Sequence, residues 1–157
     1  MKNKDFAVFI LTHGRPDNVM TLSTLRKQGY TGNIFFIIDN EDKTAGKYYE
    51  NFGRENVVMF DKKAYADKVD EGNNFDERRT ITHARNACFD ISKKLGITYF
   101  MQLDDDYTEI KFRINGDNKY PSGRFLTRTL LDKSFDYLID FYKKIPAKSI
   151  AMSQGGD

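Results

Sequence analysis

The sequence predicts an α/β domain in which flanking helices cover a mostly parallel central sheet. Short, wholly apolar runs alternate with stretches of helical periodicity, in the order strand, helix, strand, helix, strand. This alternation is typical of parallel strands joined by right-handed crossovers. The apolar runs also end abruptly in polar clusters, most clearly where Tyr99 to Leu103 meets three consecutive aspartates. Such a run is typical of a buried parallel strand that stops at the carboxyl edge of its sheet, so the predicted fold is Rossmann-like.

The first part of the chain supplies three strands and two helices. The strands are predicted from unbroken apolar runs, and the helices from apolar spacing between a polar cap and a glycine. The predicted elements are a strand at Phe6 to Leu11, a helix capped by Asp17 and stopped by Gly29, a strand at Asn33 to Ile38, a helix at about Thr44 to Phe52, and a strand at Asn56 to Phe60.

The second part begins with a highly charged stretch, Lys62 to Arg79, which we interpret as a partly helical loop at the sheet edge. The clearest helix of the chain follows, because apolar residues recur at helical spacing before a glycine. Its predicted stripe is Ile81, Ala84, Cys88, Ile91 and Leu95, and Gly96 ends it. The later predicted elements are a strand at Ile97 to Leu103, a half-exposed strand through Ile110, Phe112 and Ile114, a helix at about Arg128 to Lys144, and the start of a strand at Ser149 to Met152.

Composition limits the classes of protein to which the chain can belong. Its 157 residues suit one domain, and 39% hydrophobic residues are enough for a packed core. The net charge of +2 comes from interspersed acids and bases, so the overall charge gives no reason to expect binding to nucleic acid. A local basic groove that binds nucleic acid is still compatible with this composition. The single cysteine, the lack of an apolar run of membrane-spanning length and the polar start predict a cytoplasmic chain without a membrane partner.

The last residues of the sequence bear on whether it contains a whole fold. A predicted strand followed directly by Gly155-Gly156-Asp157 is typical of the middle of a fold. We therefore expect residues 1–157 to form a single domain whose remaining half is missing or lies beyond the chain end. A compact natural end is the alternative.

Three adjacent carboxylates, Asp104, Asp105 and Asp106, form the most informative cluster of the sequence. Open α/β sheets bind ligands at the edge where this cluster is predicted to lie. Carboxylates crowded together repel one another, and a bound cation relieves that repulsion. Oxygen ligands suit Mn²⁺ or Mg²⁺. A solvated acidic turn after a strand is the alternative interpretation.

Other strand ends bring further polar groups to the same edge. The first strand is followed by Thr12, His13, Gly14 and Arg15, the second strand by Asp39, and the helix before the fourth strand contributes Arg85 and Asn86. This set matches the needs of a nucleoside-diphosphate donor. Glycine lets the backbone approach a base or phosphate, a carboxylate accepts hydrogen bonds from a nucleoside, and a cation with an arginine stabilises a departing diphosphate.

With these residues, the chain resembles the GT-A glycosyltransferases, in which an Asp-x-Asp motif ends a central strand. The matching segments are Thr12 to Pro16, Asp39, Ala84-Arg85-Asn86 and Leu103 to Asp106, in the expected order between Phe6 and Glu109. More narrowly, Gly-Arg-Pro-Asp-Asn, Glu-Asp, Arg-Asn and Leu-Asp-Asp-Asp are similar to motifs of the glycosyltransferases associated with TET-type dioxygenases in phages and bacteria. That resemblance implies a hydroxymethylated base in DNA as the acceptor.

The resemblance also implies roles for individual residues. Asp106 would ligate the metal together with Asp104, which would also contact the ribose or sugar of the donor. Asp105 would serve either purpose, and Asp39 would contact the nucleoside. Arg85 would contact the donor sugar or the aspartates. The remaining expected donor-binding residues are Thr12, His13, Gly14, Arg15 and Asn86. The implied partner is a nucleotide-sugar, with a UDP-sugar favoured, and the catalytic residue is not assigned. The resemblance also implies that residues 1–157 are a nucleotide-sugar-binding domain whose acceptor-side half is missing or lies beyond the chain end.

Two other functions stay open at this level. Asp104-x-Asp106-x-Thr108 after an apolar strand also fits the phosphatase motif of the haloacid dehalogenase family, in which the first aspartate is a nucleophile. That motif normally lies on a first strand, whereas here it comes after the fourth. The second alternative is a non-catalytic module that binds a nucleotide or a protein. A glycosyltransferase should bind nucleoside diphosphates with Mn²⁺ or Mg²⁺, a phosphatase should hydrolyse phosphate esters, and a scaffold should do neither.

Overall fold

The computed structural model describes residues 1–69, 80–111 and 130–152. Within these ranges four strands form one sheet in the order β3-β2-β1-β4, and every neighbouring pair is parallel. The strands are β1 (Phe6–Leu11), β2 (Asn33–Asp39), β3 (Val57–Phe60) and β4 (Tyr99–Asp104). The predicted Rossmann-like α/β fold is therefore confirmed, and the four predicted strand positions agree with the observed ones to within two residues.

Five helices accompany the sheet in the described ranges. They are α1 (Met20–Lys27), α2 (Ala45–Phe52), α3 (Lys62–Ala66), α4 (Thr82–Leu95) and α5 (Leu130–Tyr142), and a short 3₁₀ turn spans Arg54–Asn56. None of these helices is both long enough and apolar enough to cross a membrane. Their order along the chain gives the alternation of strands and helices that the sequence predicts.

The helices pack on both faces of the sheet, which explains why β1 is wholly apolar. All six residues of β1 are buried, because this strand lies between β2 and β4 and is covered from both sides. On one face, α1, α2 and α5 cover the sheet through residues such as Leu25, Tyr48 and Phe135. On the other face, α4 covers it through Ala87, Cys88 and Ile91. Burial of apolar area on both faces is the main stabilising contribution to a fold of this kind.

The strand order creates a switch point between β1 and β4. The chain leaves β1 toward β2 on one side and reaches β4 on the other only after β3. Loops at such a point diverge and leave a crevice outside the carboxyl ends of the strands. Leu11 pairs with Asp104 and with Ile37, so the residues immediately after β1, β2 and β4 emerge side by side at this crevice.

Helix α4 forms where the sequence predicts it, but its buried face is rotated. The buried positions are His83, Ala87, Cys88, Ile91 and Ser92, whereas Ile81 and Leu95 of the predicted stripe are exposed. Gly96 ends the helix as predicted, with a φ of 66° in the left-handed region that favours glycine. Burial raises the pKa of the Cys88 thiol to about 12, so this cysteine is an unreactive core residue.

Several finer predictions are wrong or lie outside the described residues. Asp17 does not cap α1. Val19 occupies the cap position, and the Asp17 carboxylate instead accepts hydrogen bonds from Asn51 and Lys47. Ser149 to Met152 forms no strand. Ile110 is buried but not in a strand, and Phe112 and Ile114 lie outside the described residues, as do residues 70–79 of the charged loop, residues 128 and 129, and the Gly-Gly-Asp ending.

Helix α5 is tied to the opposite end of the chain by a buried carboxylate. Asp132 accepts hydrogen bonds from the Thr31 N–H at 2.8 Å, from the Thr31 hydroxyl at 2.6 Å and from the Met1 ammonium at 3.0 Å. Burial opposes the charge of Asp132, but these three donors hold its pKa below the ordinary value. The ionised carboxylate therefore contributes to the stability of the packing between α5 and the sheet.

We expect Asp132→Asn to lower the free energy of unfolding at pH 7 by about 1–2 kcal/mol, because bonds to a charged acceptor are replaced by weaker ones. A carboxyl whose pKa is lowered in the folded state stabilises the fold above its unfolded pKa, near 3.9, and loses that contribution as the pH falls through the folded value. The difference between wild type and variant should therefore shrink below about pH 4. Urea denaturation at several pH values measures it, and a pH-independent difference would contradict the assignment.

Candidate functional site

The candidate site lies at the carboxyl ends of β2, β1 and β4. The loop after β1 carries Thr12 to Arg15, β2 ends at Asp39 and is followed by residues 40–42, and β4 runs into Asp104 to Asp106. Thr12 donates its N–H to the carbonyl oxygen of Ile37 at 3.2 Å, which holds the first loop against β2. The structure therefore brings the three predicted polar clusters to one edge of the sheet.

A chain of hydrogen bonds joins the first loop to the aspartates. The Thr12 hydroxyl donates to Asp105 Oδ2 at 2.7 Å and accepts from the Tyr48 hydroxyl at 2.8 Å. Tyr48 accepts in turn from the Arg15 N–H at 2.9 Å, and the Arg15 guanidinium lies 3.3 Å from Asp105 Oδ1. Burial raises the pKa of Tyr48, so its hydroxyl keeps the proton that it donates to Thr12. The loops after β1 and β4 are thus joined through buried groups.

We expect Tyr48→Phe to destabilise the protein by about 1 kcal/mol, since it removes one hydroxyl that both donates and accepts inside the core. The phenyl ring retains the packing against Phe52, so the change tests the hydrogen bonds alone. Thermal and urea denaturation measure the loss. Tyr49→Phe on the same helix serves as the matched control and should be close to neutral, because Tyr49 is only partly buried.

The three consecutive aspartates occupy different environments. Asp105 points inward, with only 4% of its side chain exposed. Asp104 is half exposed and faces Arg85, whose Nη2 lies 3.1 Å from its Oδ1. Asp106 is exposed, and no hydrogen bond or ion pair joins it to another described residue. The side chains of the first and third aspartates are therefore accessible to solvent at least in part, and the second belongs to the interior.

Helix α1 holds the backbone of the aspartates in place. The fully buried Thr21 donates its hydroxyl to the Asp104 carbonyl at 2.6 Å and accepts the Tyr107 N–H at 2.9 Å. Its own N–H donates to the Asp105 carbonyl at 3.1 Å. Thr24 and Gln28 make further bonds to the chain after the aspartates. This arrangement fixes which carboxylates face the crevice.

The loops after β1 and β2 meet through two buried carboxylates. His13 Nδ1 lies 2.7 Å from Asp39 Oδ2 and 3.9 Å from Asp42 Oδ2. Asp42 Oδ2 also accepts the N–H of Gly14, whose φ of 70° lies in the left-handed region. Burial opposes the charge of Asp42, but hydrogen bonds from Thr44 and Gly14 hold its pKa below the ordinary value. Gly14 thus serves the turn that presents His13 beside β2.

Most of the predicted residues meet at this edge. Asn86 is exposed on α4, and the neighbouring Arg85 reaches Asp104. Sequence reasoning missed Thr21, Tyr48 and Asp42. Asp42 lies in the polar segment after β2, which is visible in the sequence. Thr21 and Tyr48 lie on helices, and they form hydrogen bonds with loop residues that are distant in the sequence, so no local pattern indicates them.

The described residues contain no group of three histidines, cysteines, aspartates or glutamates arranged to hold a metal ion. Asp104 and Asp106 nevertheless offer the two carboxylates that a magnesium-type site often takes from a protein, with phosphates and water supplying the other oxygens. The residues present therefore fit a cation that is shared with a phosphate ligand, and not one held by the described protein residues alone.

Comparison with protein-family models identifies the family of the chain. The model of the TET-associated glycosyltransferase family matches residues 6–157. The chain belongs to the TET-associated glycosyltransferase family. Searches of curated proteins and of solved structures gave no significant match. For this TET-associated glycosyltransferase, the family assignment favours sugar transfer over phosphatase chemistry.

Proposed function

We propose that this glycosyltransferase binds a nucleoside-diphosphate sugar across the carboxyl ends of β2, β1 and β4, with Mn²⁺ or Mg²⁺ at Asp104 and Asp106. The observation that supports the proposal best is that exposed and buried side chains alternate along the three aspartates. Asp105 is buried against Thr12 and Arg15, whereas Asp104 is partly exposed and Asp106 is exposed. Two surface carboxylates separated by one interior residue make the arrangement that an Asp-x-Asp metal site needs.

The described residues supply charge where sugar transfer needs it. When the bond between sugar and diphosphate breaks, negative charge accumulates on the leaving diphosphate, and a bound divalent cation stabilises that charge. The guanidinium groups of Arg15 and Arg85 lie beside the aspartates at about half exposure, so both can reach a phosphate in the crevice. Stabilisation that strengthens as the charge develops lowers the barrier to transfer.

The two sides of β1 would hold different parts of the donor. The side toward β4 carries the arginines and the proposed metal ligands, and it suits the diphosphate and the sugar. The side toward β2 carries Asp39, Asp42 and His13, and it suits the nucleoside, because carboxylates repel phosphate but accept hydrogen bonds from a base or ribose. We favour a UDP-sugar as the donor. For the acceptor we propose a hydroxymethylated base in DNA, which rests on the family resemblance.

Calorimetric titration of the wild-type protein with UDP, UDP-glucose and GDP-mannose, each with and without Mn²⁺, tests the donor site. We expect binding of at least one nucleotide that weakens at least tenfold when Mn²⁺ is withheld, since the cation joins the aspartates to the phosphates. Absence of binding under all conditions would overturn the proposal. Release of phosphate from a phosphate ester, without nucleotide binding, would instead support the phosphatase alternative.

A further inference from the structure

Gln102 is a polar residue in a strand that is otherwise apolar. Between Tyr99 and Leu103 it is the one position with an amide or charged side chain. Phe100, its neighbour on the same face of β4, packs against Phe9 and Phe89, so an apolar side chain would also suit this face. The amide of Gln102 must therefore provide something that apolar packing cannot, which is a directed hydrogen bond.

The amide of Gln102 reaches the beginning of α4. Its Nε2 donates a hydrogen bond to the backbone carbonyl of Arg85 at 2.9 Å. Two positions further along the same face of β4, the carboxylate of Asp104 faces the guanidinium of the same arginine. Arg85 Nη2 lies 3.1 Å from one oxygen of Asp104 and 3.4 Å from the other. The strand therefore holds Arg85 at two points, the backbone through Gln102 and the side chain through Asp104.

These two contacts respond differently to a charged ligand. The side chains of Arg85 and Asp104 are 44% and 40% exposed, so solvent screens their ion pair, and the pair contributes little on its own. A cation at Asp104 or a phosphate at Arg85 would also compete for the same charges. The bond from Gln102 to the carbonyl involves neither charged group, so this competition leaves it intact.

We propose that Gln102 is a positioning residue that holds Arg85 within reach of the diphosphate of the donor. This inference rests on the proposed donor site. The amide fixes the beginning of α4 against the end of β4, and it thereby fixes the point from which the guanidinium extends. An arginine held in this way loses less conformational freedom when it binds a phosphate. Gln102 would thus raise the affinity for the nucleotide without contacting it.

A double-mutant cycle, measured by calorimetric titration of UDP and GDP with Mn²⁺, tests the proposal. Gln102→Met keeps the length of the side chain and removes the donor. We expect it to weaken nucleotide binding about three- to tenfold, and Arg85→Ala to weaken it about tenfold or more, because bonds to charged groups contribute more than neutral ones. In the Arg85→Ala background, Gln102→Met should change the affinity less than about twofold, because the group that it positions is gone.

The control is Lys94→Ala, which removes an exposed cation from the other end of α4 and should bind nucleotide as the wild type does. If Gln102 served the fold alone, Gln102→Met would weaken binding by the same factor in both backgrounds, and that result would overturn the proposal. Wild-type affinity after Gln102→Met would overturn it as well. Circular dichroism checks that every variant keeps the wild-type fold.

The same titrations separate this inference from the function on which it rests. A wild type that binds neither UDP nor GDP overturns the donor site and the role of Gln102 together. An Arg85→Ala protein that binds nucleotide as tightly as the wild type leaves the donor site in place, and it overturns the roles of Arg85 and Gln102 only.

Discussion

Asp106→Ala should abolish the metal-dependent part of donor binding and leave the stability of the protein unchanged. Asp106 is exposed, and no hydrogen bond or ion pair connects it to another described residue, so its removal costs the fold little. Loss of a residue that merely orients a metal ligand weakens metal binding about 10- to 100-fold, so loss of a ligand should weaken Mn²⁺-dependent nucleotide binding by on the order of 100-fold or more. Titration of UDP with and without Mn²⁺ measures this effect.

Asp67→Ala is the matched control, because Asp67 is another exposed aspartate but lies just after α3, where it pairs with Lys63 at the surface. Such surface pairs contribute little, and this variant should bind nucleotide as the wild type does. The melting temperatures of both variants should stay close to the wild-type value. An Asp106→Ala protein with undiminished Mn²⁺-dependent affinity would remove Asp106 from the site.

Asp105→Ala should have the opposite profile, with a loss of about 2–3 kcal/mol in the free energy of unfolding. Asp105 is buried, accepts the Thr12 hydroxyl and lies beside the Arg15 guanidinium. Removing it leaves those donors without their charged acceptor, and hydrogen bonds to charged groups contribute more than neutral ones. Urea denaturation gives the loss, and nucleotide titration should show weaker binding because the loop after β1 is no longer held.

Asp105→Asn separates the effect of charge from that of shape. The amide oxygen still accepts the Thr12 hydroxyl, so this variant should lie between wild type and Asp105→Ala in stability. An Asp105→Ala protein as stable as the wild type would show that the network through Thr12 does not stabilise the fold. We expect the Asp106→Ala variant to be as stable as the wild type and the Asp105→Ala variant to be less stable. That result would establish that neighbouring aspartates have separate roles.

The sequence predicts the sheet well because strand burial leaves a local signal. The runs that form β1 and β2 are almost wholly apolar, and the chain stops being apolar where the sheet ends. The candidate site residues are predicted from the same signal, because they follow the apolar runs and the loops after parallel strands all emerge at one edge of the sheet. Local spacing is therefore enough to predict which loops meet at this edge of the sheet.

The separate roles of the three aspartates could not be predicted in the same way. Side chains alternate along a strand, but Tyr99 to Leu103 contains too few polar residues to show which positions face inward. The inward position of Asp105 is supported by contacts with Thr12 and Arg15, which are about ninety residues distant in the chain. The predicted stripe of α4 is partly wrong for a related reason, because His83 and Ser92 are buried there although their side chains are polar.

The bond from Thr12 to Asp105 has a consequence for how two ligands of the proposed site affect each other's affinity. Hydrogen bonds through Thr12 join the loop after β1 to the loop after β4. We therefore expect a molecule that fixes the conformation of one loop to restrict the other as well. Affinities coupled in this way are reciprocal. If the proposed cation and nucleotide both bind, the factor that the nucleotide adds to the affinity for the cation is the factor that the cation adds to the affinity for the nucleotide.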